Sequence, residues 1–158
     1  MLKAKSGSKI KSPNDLKGHE AIKKQLAMLK DMQVKIGYPS ENPETASEED
    51  GVSAASKATI NNFGLGVPKR PFMSISYYSN LGKYKKFIAK NLGNIEKMNF
   101  KTMLEQLGNM GRGDVIDTID RGVNPPNSAA VIAKKGENRP LIDSSHMINS
   151  TTYAVVSK

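Results

Sequence analysis

The sequence predicts a single α+β domain in which a small mixed sheet packs against several helices. The chain has 158 residues and is 37% hydrophobic, which suits one compact core better than two. Several stretches repeat apolar residues at helical spacing. Two short stretches, one in each half of the chain, have instead the alternating or β-branched composition of strands.

The N-terminal region divides into an arm and a helix. Residues 1–11 are rich in lysine, glycine and serine and have little to bury, so they predict a flexible basic arm in front of a domain at residues 12–158. A helix is expected to start at Ser12, with Pro13 in its first turn. Its apolar stripe comprises Leu16, Ile22, Leu26 and Leu29.

Two strands are expected. Residues 32–38 alternate apolar and polar side chains until Pro39 ends the pattern. Residues 151–156 are β-branched or aromatic apart from Ala154.

The segment after the first strand is acidic. Residues 39–51, "PSENPETASEEDG", have no hydrophobic period and are long for a connection, so they predict a long mobile loop. It contains five acids and no base: Glu41, Glu44, Glu48, Glu49 and Asp50. The rest of the chain is therefore more basic than the net charge of +9 indicates, and such a surface attracts polyanions such as nucleic acid. A well-solvated basic surface is the alternative.

Four further helical segments follow from the spacing. Residues 52–62 form a helix stopped by Gly64, with Phe63 packed under its end. Residues 74–91 place tyrosines and aliphatic residues on one face and three lysines on another: Lys83, Lys86 and Lys90. Those lysines could contact phosphates, or form an ordinary solvated face. Residues 98–121 are helical with a kink or break expected near Gly111, and residues 128–135 end at Gly136. A last short helical turn is capped by Asp143 or Ser144.

Catalytic and cofactor signals are weak throughout. Asp114, Asp117 and Asp120 spread over a helix surface, where Asp117 pairs with Arg121 more readily than with a metal. Ser144, Ser145 and His146 are adjacent, whereas a triad needs convergence in space. The absence of cysteines excludes a thiolate metal site, and two histidines are too few for an all-histidine zinc site. We therefore expect no enzymatic activity, cofactor or metal; a small hydrolase is kept only as a formal alternative. No export signal or membrane span is expected.

Three stretches together resemble a family of bacteriophage virion-morphogenesis proteins, the tail-completion or neck proteins. They are "ATINNFGLGVPKRPFM", "GVNPPNSAAVIAKKGENRPLID" and "SSHMINSTTYAVV", and "VKIGYP" fits the family's early strand. The similarity therefore covers Val34 to the C-terminus. It departs from the family pattern at Asn127, at Ala130 or its neighbours, at Ser145 and at Thr152. The matching positions are Phe63, Gly64, Pro68, Arg70, Pro71, Phe72, Pro125, Pro126, Leu141, Ile142 and Asp143.

The resemblance implies a structural protein of the virion neck or tail, made in the bacterial host cytoplasm. Such proteins act as tail terminators or in head-tail joining, as an oligomeric ring around the DNA channel between the tail tube end and the head connector. It implies a homo-oligomer, with a hexamer expected. Non-specific contact with DNA in the channel is a further expectation, and membrane contact is not expected.

Within this resemblance, the stretch from Ile60 to Met73 is interpreted as a preorganised loop. Pro68 and Pro71 fix its path, Phe63 and Phe72 lie in the core, and Lys69 and Arg70 are presented to a partner. A packed crossover between helices is the alternative.

Opposite charges supply a second subunit-contact hypothesis. The acidic loop at residues 41–50 approaches lysines of the neighbouring subunit or of another virion protein. The alternative function, from another class, is sequence-independent nucleic-acid binding by the basic arm and the lysine-rich helix.

Overall fold

The computed structural model describes residues 13–40, 51–93, 99–142 and 145–158, without the side chains of residues 13–17. The predictions for the arm, the Ser12 helix start, the acidic loop and the Asp143 or Ser144 cap lie outside these residues. The described part is an α+β arrangement, as predicted. Its elements are α1 (Pro13–Asp31), β1 (Met32–Gly37), α2 (Ala54–Phe63), α3 (Phe72–Leu92), α4 (Phe100–Asp120), α5 (Ala129–Lys135), α6 (His146–Asn149) and β2 (Thr152–Ser157).

The sheet consists of the two predicted strands. β1 and β2 pair antiparallel, with Met32 opposite Ser157 and Gly37 opposite Thr152. The end of β1 is tied to α6, because the hydroxyl of Tyr38 donates to the carbonyl of Met147 at 2.9 Å. Burial raises the pKa of Tyr38 to about 12, an effect partly offset by its hydrogen bond with Thr151.

Helix α4 is the centre of the domain, packing against α3 and both strands. It runs without interruption, so the predicted break near Gly111 is wrong. A Cβ atom at Gly108 would lie 2.3 Å from the ring of Tyr153, and one at Gly111 would lie 2.4 Å from Cδ1 of Ile36. These glycines allow the sheet to approach the helix closely, and that packing offsets their low helix propensity.

Two groups of buried residues form the core of the part that the structure describes. The larger joins α2, α3 and α4 to the C-terminal region and contains Ala58, Phe72, Val115, Ile119, Val123, Ile142 and Met147. The smaller lies at the start of α4 and contains Phe100, Met103 and Leu104. Helix α4 supplies half of these ten residues: Phe100, Met103, Leu104, Val115 and Ile119.

Helix ends follow local capping chemistry. Ser53 caps α2 by accepting from the amide of Ser56 at 3.1 Å, and α2 ends at Gly64 with φ of 77°. Helix α5 is capped by Ser128 and ends at Gly136 with φ of 76°. Both predicted glycine stops are confirmed. Within the described ranges, no helix is long and apolar enough to cross a membrane.

Candidate subunit interface

The connector, defined as residues 64–71 between α2 and α3, folds back on the end of α2. The amides of Gly64 and Leu65 donate to the carbonyl of Ile60 at 2.9 and 3.0 Å, and the amide of Arg70 donates to the carbonyl of Asn61 at 2.8 Å. A Cβ atom at Gly64 would lie 2.8 Å from Cβ of Lys69. Glycine is therefore required at position 64, where Lys69 packs against the chain, and the backbone path of the connector is fixed.

The side chain of Arg70 anchors the connector to the Pro125–Asn127 segment. Its Nε donates to the carbonyl of Pro125 at 2.8 Å, and a terminal nitrogen donates to the carbonyl of Pro126 at 3.2 Å. The same nitrogen lies 3.4 Å from Oδ1 of Asn127. The planar guanidinium suits this task because its donors form a fixed fork that spans neighbouring acceptors.

Arg70 is only 6% exposed, so the prediction that it is presented to a partner is wrong. The guanidinium of Arg70 forms its hydrogen bonds inside the protein, where burial lowers its pKa from the ordinary value. The physical reason is that Pro125 and Pro126 supply two adjacent backbone acceptors, and the connector brings a cation against them. Sequence spacing does not show that these segments meet.

The start of α3 is also built from residues of the resemblance motifs. Phe72 is fully buried, as predicted, in the same cluster as Ile142, with Leu141 packed against it. Pro71 precedes the helix and offers no side-chain cap. The amide of Met73 instead donates to Oδ1 of Asn62 at 3.3 Å, so α2 caps the following helix.

Phe63 is 62% exposed, so its predicted burial is wrong. It is the last residue of α2, where the chain turns through Gly64. Leu65 and Val67 are exposed as well, at 58% and 38%, and Lys69 is exposed as predicted. We call Phe63, Leu65, Val67 and Lys69 the connector surface. The sequence reasoning missed Leu65 and Val67, although apolar residues between glycines and a proline are a signal for it.

A groove runs beside the connector surface. It is open to solvent, has a volume of about 420 Å³ and is bounded by α2, the start of α3 and Tyr38. Phe63 forms part of its wall. Exposed apolar side chains on a fixed backbone, next to a concave surface, are typical of a protein contact.

The three lysines predicted on one face of α3 have different environments. The Nζ of Lys83 lies 2.5 Å from Oδ1 of the buried Asp114, whose other oxygen accepts from the hydroxyl of Tyr84 at 2.8 Å. Burial, and then Asp114, raise the pKa of Tyr84. Lys86 and Lys90 are exposed and form no ion pair with the residues that the structure describes. Two of the three lysines are therefore available for a phosphate or an acidic partner.

The aspartates of α4 are engaged separately. Asp117 pairs with Arg121 at 3.2 Å, as predicted, and Asp120 pairs with Arg139. Within the described ranges, no three acidic or histidine side chains gather closely enough to hold a metal. His146 has Nε2 at 3.4 Å from Oγ of Ser150, while Ser144 lies outside the described residues.

The motif residues therefore come together in the fold, and the exposed part of the connector is largely apolar. Comparisons with models of protein families, with curated proteins and with solved structures found no match to this chain.

Proposed function

We propose that this chain is a structural protein of phage tail completion or head-tail joining. It assembles as a homo-oligomeric ring at the head-proximal end of the tail, around the DNA channel, between the tail tube end and the head connector. The proposal rests on the resemblance of the three motifs to the virion-morphogenesis family. It assigns the chain to the neck or tail of the virion and gives it no catalytic role.

The convergence of the motifs is the observation that carries this proposal. Arg70 of the first motif binds the carbonyls of Pro125 and Pro126 in the second across 55 and 56 residues. Phe72 and Ile142 share one buried cluster. Matching residues that lie far apart in the sequence therefore support one another in space. Such mutual support is expected when the similarity reflects a common fold.

The connector surface supports a subunit contact. A ring needs a patch on one side of each subunit that meets a different patch on the next. The connector surface offers exposed Phe63 and Leu65 on a backbone held by three hydrogen bonds. Ordering this loop on binding costs little, because the backbone is already fixed before the partner arrives.

Charge supplies the second contact. The acids of residues 41–50 approach lysines of the neighbouring subunit, and α3 offers Lys86 and Lys90 for it. Exposed ion pairs are weak and are screened by salt, so this contact contributes to orientation more than to affinity. Replacing the five acids by serine should increase dissociation at low salt. An unchanged oligomer after that replacement rules the contact out.

The connector contact is tested by changing Phe63→Ser and Leu65→Ser together and measuring the oligomer by sedimentation velocity. The matched control is Val131→Ser, an exposed apolar residue on α5 with 41% of its surface accessible. We expect the double variant to dissociate while its far-UV circular dichroism and melting temperature stay unchanged, and the control to remain assembled. An intact oligomer in the double variant contradicts the connector contact.

Sequence-independent nucleic-acid binding is the second candidate. Nucleic-acid binding is favoured by the composition of α3, which carries four lysines and no acid, and by the exposure of Lys86 and Lys90. Changing both to glutamine should lower DNA affinity and reduce the salt slope by about 1 for each phosphate that is no longer neutralised. The control is Lys101→Gln, an exposed lysine on α4. If the wild-type chain binds DNA weakly and with a shallow slope, this candidate fails.

A further inference from the structure

Strand β2 has one edge without a neighbouring strand. In the part of the chain that the structure describes, the sheet consists of β1 and β2 alone. The amide of Lys158 donates to the carbonyl of Asp31 at 2.8 Å. Because bonded and non-bonded pairs alternate along an antiparallel ladder, every second residue, beginning with the next pair, points its amide and carbonyl away from the partner strand. On β2 these are Tyr153, Val155 and Ser157, which we call the edge residues.

The backbone groups of the edge residues are open to a partner. Within the described ranges, β1 is packed by α1, α4 and β2, whereas β2 is packed extensively by β1 and α4. The outward amides and carbonyls of the edge residues form no hydrogen bond with any residue that the structure describes. Since buried backbone groups are almost always paired in native proteins, these groups face solvent in a single subunit. They form a row of donors and acceptors that fits one more strand.

The basic arm, residues 1–11, has the residue pattern of such a strand. Lysine occupies positions 3, 5, 9 and 11. The even positions hold apolar or small residues, namely Leu2, Ala4, Ser6, Ser8 and Ile10. Side chains of a strand point alternately to its two faces, so an extended arm has lysines on one face and Leu2 and Ile10 on the other. Tyr153 and Val155 of β2 pack against α4, and the apolar face of the arm can continue that side of the sheet.

The arm of the same subunit is held away from this edge by α1. That helix contacts the smaller core group through Gln25 and Leu29 in its second half, and none of its residues from 18 to 31 is buried. At 1.5 Å per residue, Pro13 lies about 27 Å along the helix from the start of β1. Three extended residues between Pro13 and Ile10 span at most about 11 Å. A neighbouring subunit can therefore supply the alternating stretch more readily than the same subunit.

We propose that the basic arm of one subunit adds to the free edge of β2 in the next subunit, as an antiparallel third strand. Antiparallel addition keeps the sheet of one type, which sheets favour, and brings it to the three strands that independent stability needs. The even residues of the arm lie opposite the edge residues and exchange hydrogen bonds with them, and the lysines face solvent. The proposal rests on the proposed self-assembly and names one of its contacts. Arm and edge are different patches, as a ring requires.

The test is amide hydrogen exchange on the assembled full chain, read at the edge residues. In the wild-type chain these amides should exchange slowly, although their own subunit gives them no partner. Ala4→Pro with Ser8→Pro removes two arm amides that face β2, and exchange at the edge residues should become at least about tenfold faster. The matched control is Lys5→Pro with Lys9→Pro, which removes amides on the outer side of the arm and should keep exchange within about twofold of wild type.

The mass of the wild-type chain separates this proposal from the ring itself. If the chain assembles while its edge amides exchange as fast as free backbone, the ring stands and the arm contact is wrong. Equal effects of the even-position and odd-position variants would contradict the antiparallel pairing. If the chain is monomeric, the ring fails, and a synthetic peptide of residues 1–11 added to the Ala4→Pro, Ser8→Pro variant decides the arm contact. Slower exchange at the edge residues then supports strand addition, and unchanged exchange overturns it.

Discussion

Arg70→Met tests whether the buried guanidinium holds the connector in place. Methionine keeps an apolar stem of similar length and removes the donors to Pro125 and Pro126. Hydrogen bonds from a charged donor contribute about 1.5 to 3 kcal/mol each, and two of the three contacts are short enough to count, at 2.8 and 3.2 Å. Loss of these two hydrogen bonds would therefore lower the free energy of unfolding by at least about 3 kcal/mol if no other interaction replaced them.

Two effects reduce that cost. Pro125 and Pro126 are exposed residues, so water can reach their carbonyls, and methionine no longer carries a charge that must be desolvated. We expect a net loss of about 2 kcal/mol, which lowers the melting temperature by about 4 to 8 °C for a chain of this length. Arg70→Lys should lose most of this stability as well, because one ammonium group cannot bond to both carbonyls as the guanidinium does.

The assay is thermal and urea unfolding followed by circular dichroism, with Lys69→Met as the matched control. Lys69 is the exposed neighbour of Arg70, and its replacement should change stability by less than about 0.5 kcal/mol. The reasoning is refuted if Arg70→Met melts within about 1 °C of the wild-type protein. It is also refuted if Lys69→Met loses as much stability as Arg70→Met.

Three further predictions concern the core. Gly108→Ala should lower the free energy of unfolding by about 1 to 3 kcal/mol, because the added methyl overpacks against β2. Gly113→Ala, with no atom within 4 Å of its added Cβ, should raise it by about 0.5 to 1 kcal/mol in urea unfolding. Equal effects of the two variants would contradict the packing role of Gly108. Tyr84→Phe should cost about 1 to 2 kcal/mol in thermal unfolding, because the buried Asp114 loses a donor; wild-type stability would show the bond to be dispensable. Tyr38 has a pKa raised from 10.0 to about 12, so the unfolded chain ionises first and stability falls as pH rises through that window. Tyr38→Phe should reduce this alkaline loss in pH-dependent melting, with the remainder coming from Tyr84, whose pKa is also raised; an unchanged pH profile would disprove the role of Tyr38.

Local signals in the sequence predicted the helix ends and the strands. Gly64 and Gly136 act at helix ends through their own left-handed conformations, so no tertiary information is needed. The break near Gly111 was wrong because the role of that residue depends on Ile36 of β1, far away in the chain. Helix propensity alone cannot show that a strand lies against the glycine.

At the candidate site, too, local sequence signals did not predict which residues of the connector region are buried. When a phenylalanine and an arginine occur in one motif, their residue types favour burying the first and exposing the second. For Phe63 and Arg70 the structure has the opposite arrangement. Two neighbouring carbonyls at Pro125 and Pro126 compensate the buried charge, and only the folded chain brings them there.

The most direct test of the proposed ring is the mass of the purified chain by native mass spectrometry, at low and at moderate salt. We predict a single closed oligomer of defined number, with a hexamer expected, that loosens as salt rises if charged contacts between subunits contribute. A chain that stays monomeric at every concentration and both salt levels would contradict self-assembly into a ring.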